Sequence, residues 1–355
     1  MARNIVKTQF PLPESELFDE IIDVRAPSEF AEDHITGAIN LPVLDDAERS
    51  RVGTIYKQES AFEARKIGAS LVSANIAGHL EAHFSGKPRE YRSLVYCWRG
   101  GQRSGSLATV LADVGWKVGL VEGGYKTYRN HVVEAISEKA DALRFIVLNG
   151  FTGAGKTLVL KAMSEAGEQV LDLEGLANHK GSVFGGDPDN PQPAQKRFES
   201  LLFDELNTFS ADRSVFLEAE SAKIGRLNLP NPLWQQMKVA PVIEIVSPLE
   251  ARAAYLTDDY REWLPDGDRI RRTLERLQGF HSHEQISNWM QQADQGEWQD
   301  LVTSLLAEHY DKRYSVNGSG NFEVPSSNIR LDHHDCASVE TCAGTVAEEA
   351  AKLTL

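Results

Sequence analysis

Long apolar runs are missing. No stretch of the 355 residues approaches the roughly 20 consecutive apolar residues of a membrane span, so no membrane association is expected. Cysteine is scarce, with three in the chain, too few for a disulfide framework. Positive charge is in deficit: Lys and Arg number 37 against 52 Asp and Glu, a formal net charge of −15. That balance argues against broad, non-specific nucleic-acid binding and leaves room only for a local basic surface. The opening Met1-Ala2-Arg3-Asn4-Ile5-Val6-Lys7 lacks the apolar core of a signal peptide. An unpaired reactive thiol suits a reducing compartment, so a cytoplasmic protein is expected. What remains is ordinary globular composition, over a length that suits two domains.

Two stretches stand out. The first is Tyr96-Cys97-Trp98-Arg99-Gly100-Gly101-Gln102-Arg103-Ser104. Ser93-Leu94-Val95-Tyr96 reads as a buried strand, and Leu107, Val110, Leu111 and Val114 fall at helical spacing before a stop at Gly115. Cys97 therefore sits at a strand end, with a Gly-rich loop leading into a helix N-terminus. Backbone N–H groups and the helix dipole favour an anion there. Arg99 and Arg103 add positive charge, and such surroundings favour the attacking thiolate. The expectation is a nucleophilic Cys97 rather than a structural core cysteine.

The second stretch is Gly150-Phe151-Thr152-Gly153-Ala154-Gly155-Lys156-Thr157, which fits G-x-x-x-x-G-K-[ST] between an apolar strand (Arg144 to Leu148) and a helix. Here the backbone would cradle phosphates. Lys156 would reach terminal oxygens, and Thr157 is the candidate Mg²⁺ ligand. A strand over 169–173 places Asp172 or Glu174 near the phosphates. A strand over 214–217 ends in Glu218-Ala219-Glu220-Ser221, so Glu218 or Glu220 is the candidate acidic Mg²⁺-side residue, with a helix-start carboxylate as the alternative. The Gly-rich, polar run from Ala177 to Gly186, with Asn178 and His179, reads as an ordered loop near a ligand. Arg261, Arg269, Arg271, Arg272 and Arg276 crowd the start of a helical region over 260–315. They are candidate lid cations over a diphosphate or an RNA backbone, or a plain surface helix. His309, Tyr310, Lys312, Arg313 and Tyr314 make a second basic–aromatic cluster.

The rest is quieter. Residues 1–20 read as a polar lead-in and Ile21 to Val24 as a strand, with Asp23 and Arg25 either an ion pair under the Cys97 loop or an ordinary surface pair. His34 reads as a hydrogen-bonded structural histidine. Residues 43–92 form a mostly helical insertion with Arg49, Arg51, Lys57, Arg65 and Lys66, either an RNA contact or a solvated face. A strand is expected over 239–246 and a C-terminal helix from Val339. Cys336 and Cys342 lack partners at metal spacing and read as incidental. The domain boundary falls near residue 140.

The Cys97 loop, together with Asp23-Val24-Arg25, His34 to Pro42, and Gly115-Trp116-Lys117-Val118 through Tyr125, resembles the signatures of a rhodanese domain. The span from Cys97 to Arg103 is one residue longer than the commonest rhodanese loop and nearer that of the Cys-x5-Arg phosphatases, which suits a phosphate-bearing donor. With the P-loop motif, Asp172 to Gly185, and Glu218 to Ser221 followed by Ile224-Gly225, the chain as a whole resembles the bacterial tRNA 2-selenouridine synthases. The resemblance implies an α/β architecture: a rhodanese-like α/β domain over 1–135, then a P-loop NTPase-like doubly wound α/β domain with a helical C-terminal part over 140–355.

It also implies the activity. Such enzymes replace the sulfur of wobble 2-thiouridine in tRNA with selenium from selenophosphate, and are associated with geranylating that sulfur from geranyl diphosphate. The partners would be tRNA and a selenophosphate supply enzyme, with no tightly bound cofactor beyond Mg²⁺. The residues alone leave two other readings open: an ATP-dependent kinase-like domain fused to a sulfurtransferase, and a nucleotide-dependent switch.

Overall fold

A computed structural model describes residues 4–12, 17–181, 185–186, 190–261, 267–313 and 322–353. The chain divides into two compact units, Met1–Ile136 with Pro193–Asp204, and Ser137–Gln192 with Glu205–Leu355.

The first unit holds five parallel strands: β1 (Ile5–Thr8), β2 (Glu20–Asp23), β3 (Ala38–Asn40), β4 (Arg92–Tyr96) and β5 (Lys117–Val121), in the order β1-β5-β4-β2-β3. Ser93 to Tyr96 are all buried, as expected of a central parallel strand covered on both faces. The lead-in is not featureless: β1 forms the sheet edge against β5. The helices are α1 (Pro27–Glu32), α2 (Asp46–Gln58), α3 (Ala61–His79), α4 (Gln102–Val114) and α5 (Tyr125–Ala142). Helix α2 starts at a capping box: Asp45 accepts from the Glu48 N–H, and Glu48 accepts from the Asp45 N–H. Helix α4 stops at Gly115, whose φ of 120° suits glycine. Leu107, Ala108 and Leu111 of α4 pack with Ile22, Val95 and Val118 of the strands into one core.

The second unit also holds five parallel strands: β6 (Arg144–Asn149), β7 (Gln169–Leu171), β8 (Ser214–Glu218), β11 (Val242–Val246) and β12 (Ser327–Arg330), in the order β12-β11-β6-β8-β7. A two-stranded antiparallel ribbon, β9 (Lys223–Ile224) and β10 (Leu227–Asn228), stands apart. The chain leaves β6 toward β7 on one side and later crosses to β11 on the other. Such a switch point opens a crevice at the carboxyl ends of the strands.

The remaining helices are α6 (Lys156–Glu165), α7 (Leu173–Ala177), α8 (Gln195–Thr208), α9 (Asn231–Val239), α10 (Leu249–Asp259), α11 (Gly267–Glu275), α12 (His283–Gln295), α13 (Trp298–Leu305) and α14 (Cys336–Leu353), of which α8 belongs to the first unit as far as Asp204. The expected strand from Val239 starts at Val242 instead, because Val239 ends α9, which follows Pro230. Val339, Cys342, Ala343 and Val346 of α14 pack on Val159, Leu160 and Met163 of α6. A separate small core, centred on fully buried Trp289, joins α11, α12 and α13.

Candidate active sites

In the first unit, register places Tyr96 beside Asp23, so the loop that follows β4 runs over the end of β2. Asp23 and Arg25 form a buried pair, with Asp23 Oδ2 2.6 Å from Arg25 Nη2. The Arg25 guanidinium also lies 4.0 Å from the Tyr125 ring centroid and donates to the Asp33 carbonyl. The ion pair is thus part of the floor rather than a surface decoration. Asp23→Ala leaves a buried cation without its partner. It is expected to lower the unfolding free energy by about 3–5 kcal/mol, read as a lowered urea midpoint.

Cys97 is buried at the loop's start, and the Ser104 Oγ lies 3.3 Å from its Sγ as a donor. Among the described residues, none of the backbone N–H groups from Trp98 to Ser104 donates to a backbone or side-chain acceptor. Left-handed Gly101 turns these donors into the N-terminus of α4. The loop therefore presents a run of backbone donors beside a thiol. Arg99 is exposed beside it. Arg103 is not a free cation: Glu29 holds it at 2.6 and 3.2 Å. Burial works to raise the Glu29 carboxyl, yet the Arg103 hydrogen bond and charge hold it below the ordinary range. His34 is structural as expected, with Nδ1 2.9 Å from the Phe30 carbonyl and its ring stacked on Phe30.

In the second unit, β6 delivers its phosphate loop into α6. A Cβ at Gly150 would stand 2.5 Å from the Ile245 carbonyl oxygen, so the loop crosses β11 too closely for any side chain. The loop is braced from behind. Arg252 of α10 donates to the Thr152 carbonyl and grips Asp311 in a bidentate pair at 2.9 and 2.7 Å. Lys156 Nζ donates to the Gly150 carbonyl at 2.8 Å.

Three carboxylates face this lysine, because β8 lies directly beside β6 and pairs Glu218 with Leu148. Glu218 accepts from the Glu174 N–H at 2.8 Å, and its Oε2 is buried without a hydrogen-bond partner among the described residues. Burial, then the charges of Glu220 and Glu218, push Glu174 up to about 9. Burial, then Asp172, pushes Glu218 up to about 8. Burial also raises Glu220. Lys156 is lowered by burial, against the pull of the three glutamates.

These groups line a cavity of about 630 Å³. Thr152 to Thr157 form one wall, and Glu174, Glu218 and Glu220 the next. Tyr255, Leu256, Tyr260, Phe280, Tyr310 and Phe322 supply apolar and aromatic surface, with Lys180 and Arg313 as further cations.

Two comparisons bear on this pair of sites. A family model described as the Rhodanese-like domain matches residues 11–131. One described as the tRNA 2-selenouridine synthase AAA domain matches residues 143–323. The chain belongs to the tRNA 2-selenouridine synthase family. Among its relatives, the tRNA 2-selenouridine synthase of Nitrosomonas europaea is 37% identical over 265 residues, covering 72% of this chain and 68% of that one. The synthase of Marinobacter nauticus is 33% identical over 323 residues, covering 83% and 87%. That of Aeromonas salmonicida is 33% identical over 324 residues, covering 83% and 86%. Membership makes the chain an enzyme of tRNA modification and selenium chemistry, with a rhodanese domain followed by an AAA-like parallel α/β domain.

Within this synthase family member, some residues singled out from sequence converge and others do not. Thr152 to Thr157, Glu174, Glu218 and Glu220 share one cavity, and Gly150 anchors its loop. Asp172 does not line it. Its side chain caps α7, accepting from the Gly175 N–H at 2.7 Å. Asn178 ends α7 in a left-handed conformation and binds Asn190. His179 is not among the cavity-lining residues, and its ring lies against Gly225. Arg269 donates to the Gly186 carbonyl and Arg272 to Asp268, and neither reaches the cavity wall. Besides Lys156, the cations there are Lys180, from the run expected near a ligand, and Arg313, from the second basic–aromatic cluster. Ser182 to Phe184 of the expected ligand loop, and Tyr314 of the basic–aromatic cluster, lie outside the described residues.

The carboxylates fit Mg²⁺. Among the described residues no cluster of three or more His, Cys, Asp or Glu makes a dedicated metal cage. A Thr157 hydroxyl and one or two carboxylates beside bound phosphates are the sparse oxygen set this ion takes. Glu218 Oε2, buried and without a hydrogen-bond partner among the described residues, is the carboxylate oxygen that would hold it. No helix among the described residues is long and apolar enough to cross a membrane.

Proposed function

We propose that the two cradles act in sequence on one wobble 2-thiouridine of tRNA. The phosphate loop binds the diphosphate of geranyl diphosphate, and the apolar and aromatic walls take its ten-carbon chain. The uridine sulfur attacks the first carbon of that chain. A C–S bond forms, the C–O bond breaks, and the diphosphate leaves with the electron pair. N3 of the base gives up its proton. Lys156 stabilises the leaving charge.

Alkylation turns the thiocarbonyl into a good leaving group. Selenophosphate, held in the Cys97 loop, then gives up hydrogen selenide, whose selenium attacks C2 and whose proton leaves with the expelled geranylthiol. Selenium in this donor is already at the selenide level. A Cys97 perselenide would need a two-electron oxidant that none of the reactants supplies. The balanced role for Cys97 is attack on phosphorus: the Se–P bond breaks, an S–P bond forms, and water releases phosphate.

The observation that supports this reading best is the cavity itself, a phosphate loop opening onto Tyr255, Leu256, Tyr260, Phe280, Tyr310 and Phe322. The test is nucleoside mass spectrometry on 2-thiouridine tRNA incubated with the protein, geranyl diphosphate and selenophosphate. Selenouridine is expected, with no dependence on ATP. Unchanged thiouridine, or a requirement for ATP hydrolysis, would sink the two-step scheme.

A further inference from the structure

Trp98 follows Cys97 directly and is 40% exposed. Its inner face lies on Tyr125, with ring centroids 5.3 Å apart and planes tilted by 32°. Tyr125 in turn lies against Arg25, which Asp23 fixes in place. The indole is the outermost layer of a stack rooted in a buried ion pair. Its backbone is pinned as well, with the Lys126 N–H donating to the Trp98 carbonyl at 3.1 Å and the Tyr125 N–H to the Cys97 carbonyl at 2.8 Å. A core role would bury this ring. Instead a flat, pre-positioned aromatic face is presented to solvent beside the thiol.

Cations gather around it from three separate parts of the chain. Arg99 and Lys126 are exposed and have no carboxylate partner among the described residues. Lys196 Nζ lies 5.8 Å from the Trp98 ring centroid. The position of Lys196 is built, because the first turns of α8 belong to this unit. Buried Ser200 donates to Asp33 Oδ2 at 3.0 Å, Glu199 pairs with Arg129, and Arg197 donates to the His34 carbonyl. Lys196 itself shares its charge with exposed Glu32 at 2.8 Å. In a chain of net charge −15, this is a local basic surface around an exposed indole. Single-stranded nucleic acid is held by that combination, with bases stacked on aromatic faces and cations along the backbone.

We propose that Trp98 is the platform on which the target base of the tRNA stacks as it reaches Cys97, with Lys196, Arg99 and Lys126 taking the flanking phosphates. The proposal rests on the reading that the Cys97 loop acts on a tRNA uridine. The base is a pyrimidine turned out of the anticodon loop. Trp98 is a positioning residue and does no chemistry.

The experiment uses the full chain and an anticodon stem-loop with 2-thiouridine at the wobble position, titrated across a salt series. A pre-geranylated stem-loop is followed in parallel for single-turnover selenium exchange. Trp98→Leu keeps bulk but loses the π-face, and is expected to weaken binding by about ten- to a hundredfold, while Trp98→Phe stays within about threefold. A stem-loop abasic at the wobble position should bind wild type as weakly as the intact one binds Trp98→Leu. The two losses should not add. Lys196→Ala should flatten the log–log salt dependence by about 0.7. Glu32→Gln should tighten binding by freeing Lys196, whereas a merely structural ion pair predicts no gain.

Equal binding by the Leu and Phe variants, or full additivity with the abasic substrate, overturns the platform. If wild type exchanges selenium and Trp98→Leu does so at the same half-saturation, the platform fails and the tRNA reading stands. If wild type neither binds nor modifies any stem-loop, both fall.

Discussion

Cys97→Ala is expected to lower selenouridine formation by roughly ten-thousandfold or more, the scale of losing a nucleophile, while S-geranyl-2-thiouridine accumulates. The accumulation distinguishes this outcome from simple unfolding. The argument is local. Cys97 is buried at the end of β4, with Ser104 donating to its sulfur, in a loop whose N–H groups from residue 98 to 104 have no acceptor among the described residues. Nothing else in that loop carries a nucleophilic sulfur, and serine at the same place is a poorer attacker on phosphorus. Cys97→Ser should therefore resemble Cys97→Ala, with thermal stability close to wild type. Nucleoside mass spectrometry after a fixed incubation reads both products at once. Normal selenouridine yield from Cys97→Ala would remove Cys97 from the chemistry and leave the loop as a binding cradle only.

The two cradles were legible in the sequence because each is a local pattern: a β-prone apolar run, glycines at positions needing unusual backbone, then helical periodicity. Such patterns depend on neighbours in the chain. What the pattern hid depends on distant residues. Arg103 reads as a free cation beside Cys97, but its partner Glu29 is 74 residues away. The arginines of the helical region look like lid cations by their density, yet Arg269 is spent on Gly186 and Arg272 on its own helix. Lys180, from the run after α7, and Arg313, from the second basic–aromatic cluster, reach the cavity instead.

The choice between Asp172 and Glu174 is hidden in the sequence for a different reason. A carboxylate after a short strand is equally suited to a phosphate site and to a helix cap, and here α7 begins one residue later. Strand β1 leaves little trace in the sequence because an edge strand with polar residues has little hydrophobic signal, and its pairing partner lies over a hundred residues on. The association of Pro193–Asp204 with the first unit likewise has no local cue. It is carried by single contacts such as Ser200 to Asp33.

Lys156→Ala is expected to cut geranylation by about a thousandfold or more, since a pre-placed charge on a departing diphosphate is among the largest single contributions. Both S-geranyl-2-thiouridine and selenouridine should then be missing from 2-thiouridine tRNA. A pre-geranylated tRNA should still be converted, because that step uses the Cys97 loop. Failure to rescue would mean that the phosphate loop serves both steps.

The carboxylates beside Lys156 add a pH signature. In the folded protein Glu174 and Glu218 hold protons up to about 9 and about 8, against an ordinary value of 4.5. Between these values the folded state binds more protons than the unfolded one, so stability falls as pH rises from about 4.5 towards 9. Glu218→Gln, which cannot ionise, should flatten part of that decline in melting temperature between about pH 5 and about pH 8. Anion binding follows the same logic. Protonated carboxyls and a charged Lys156 favour diphosphate, so inorganic diphosphate should bind more weakly above about pH 8 and take up protons as it binds. Calorimetry in buffers of different ionisation enthalpy measures that uptake directly. Proton-neutral binding, with an affinity flat across pH, would mean that the three glutamates are already ionised and paired before the ligand arrives.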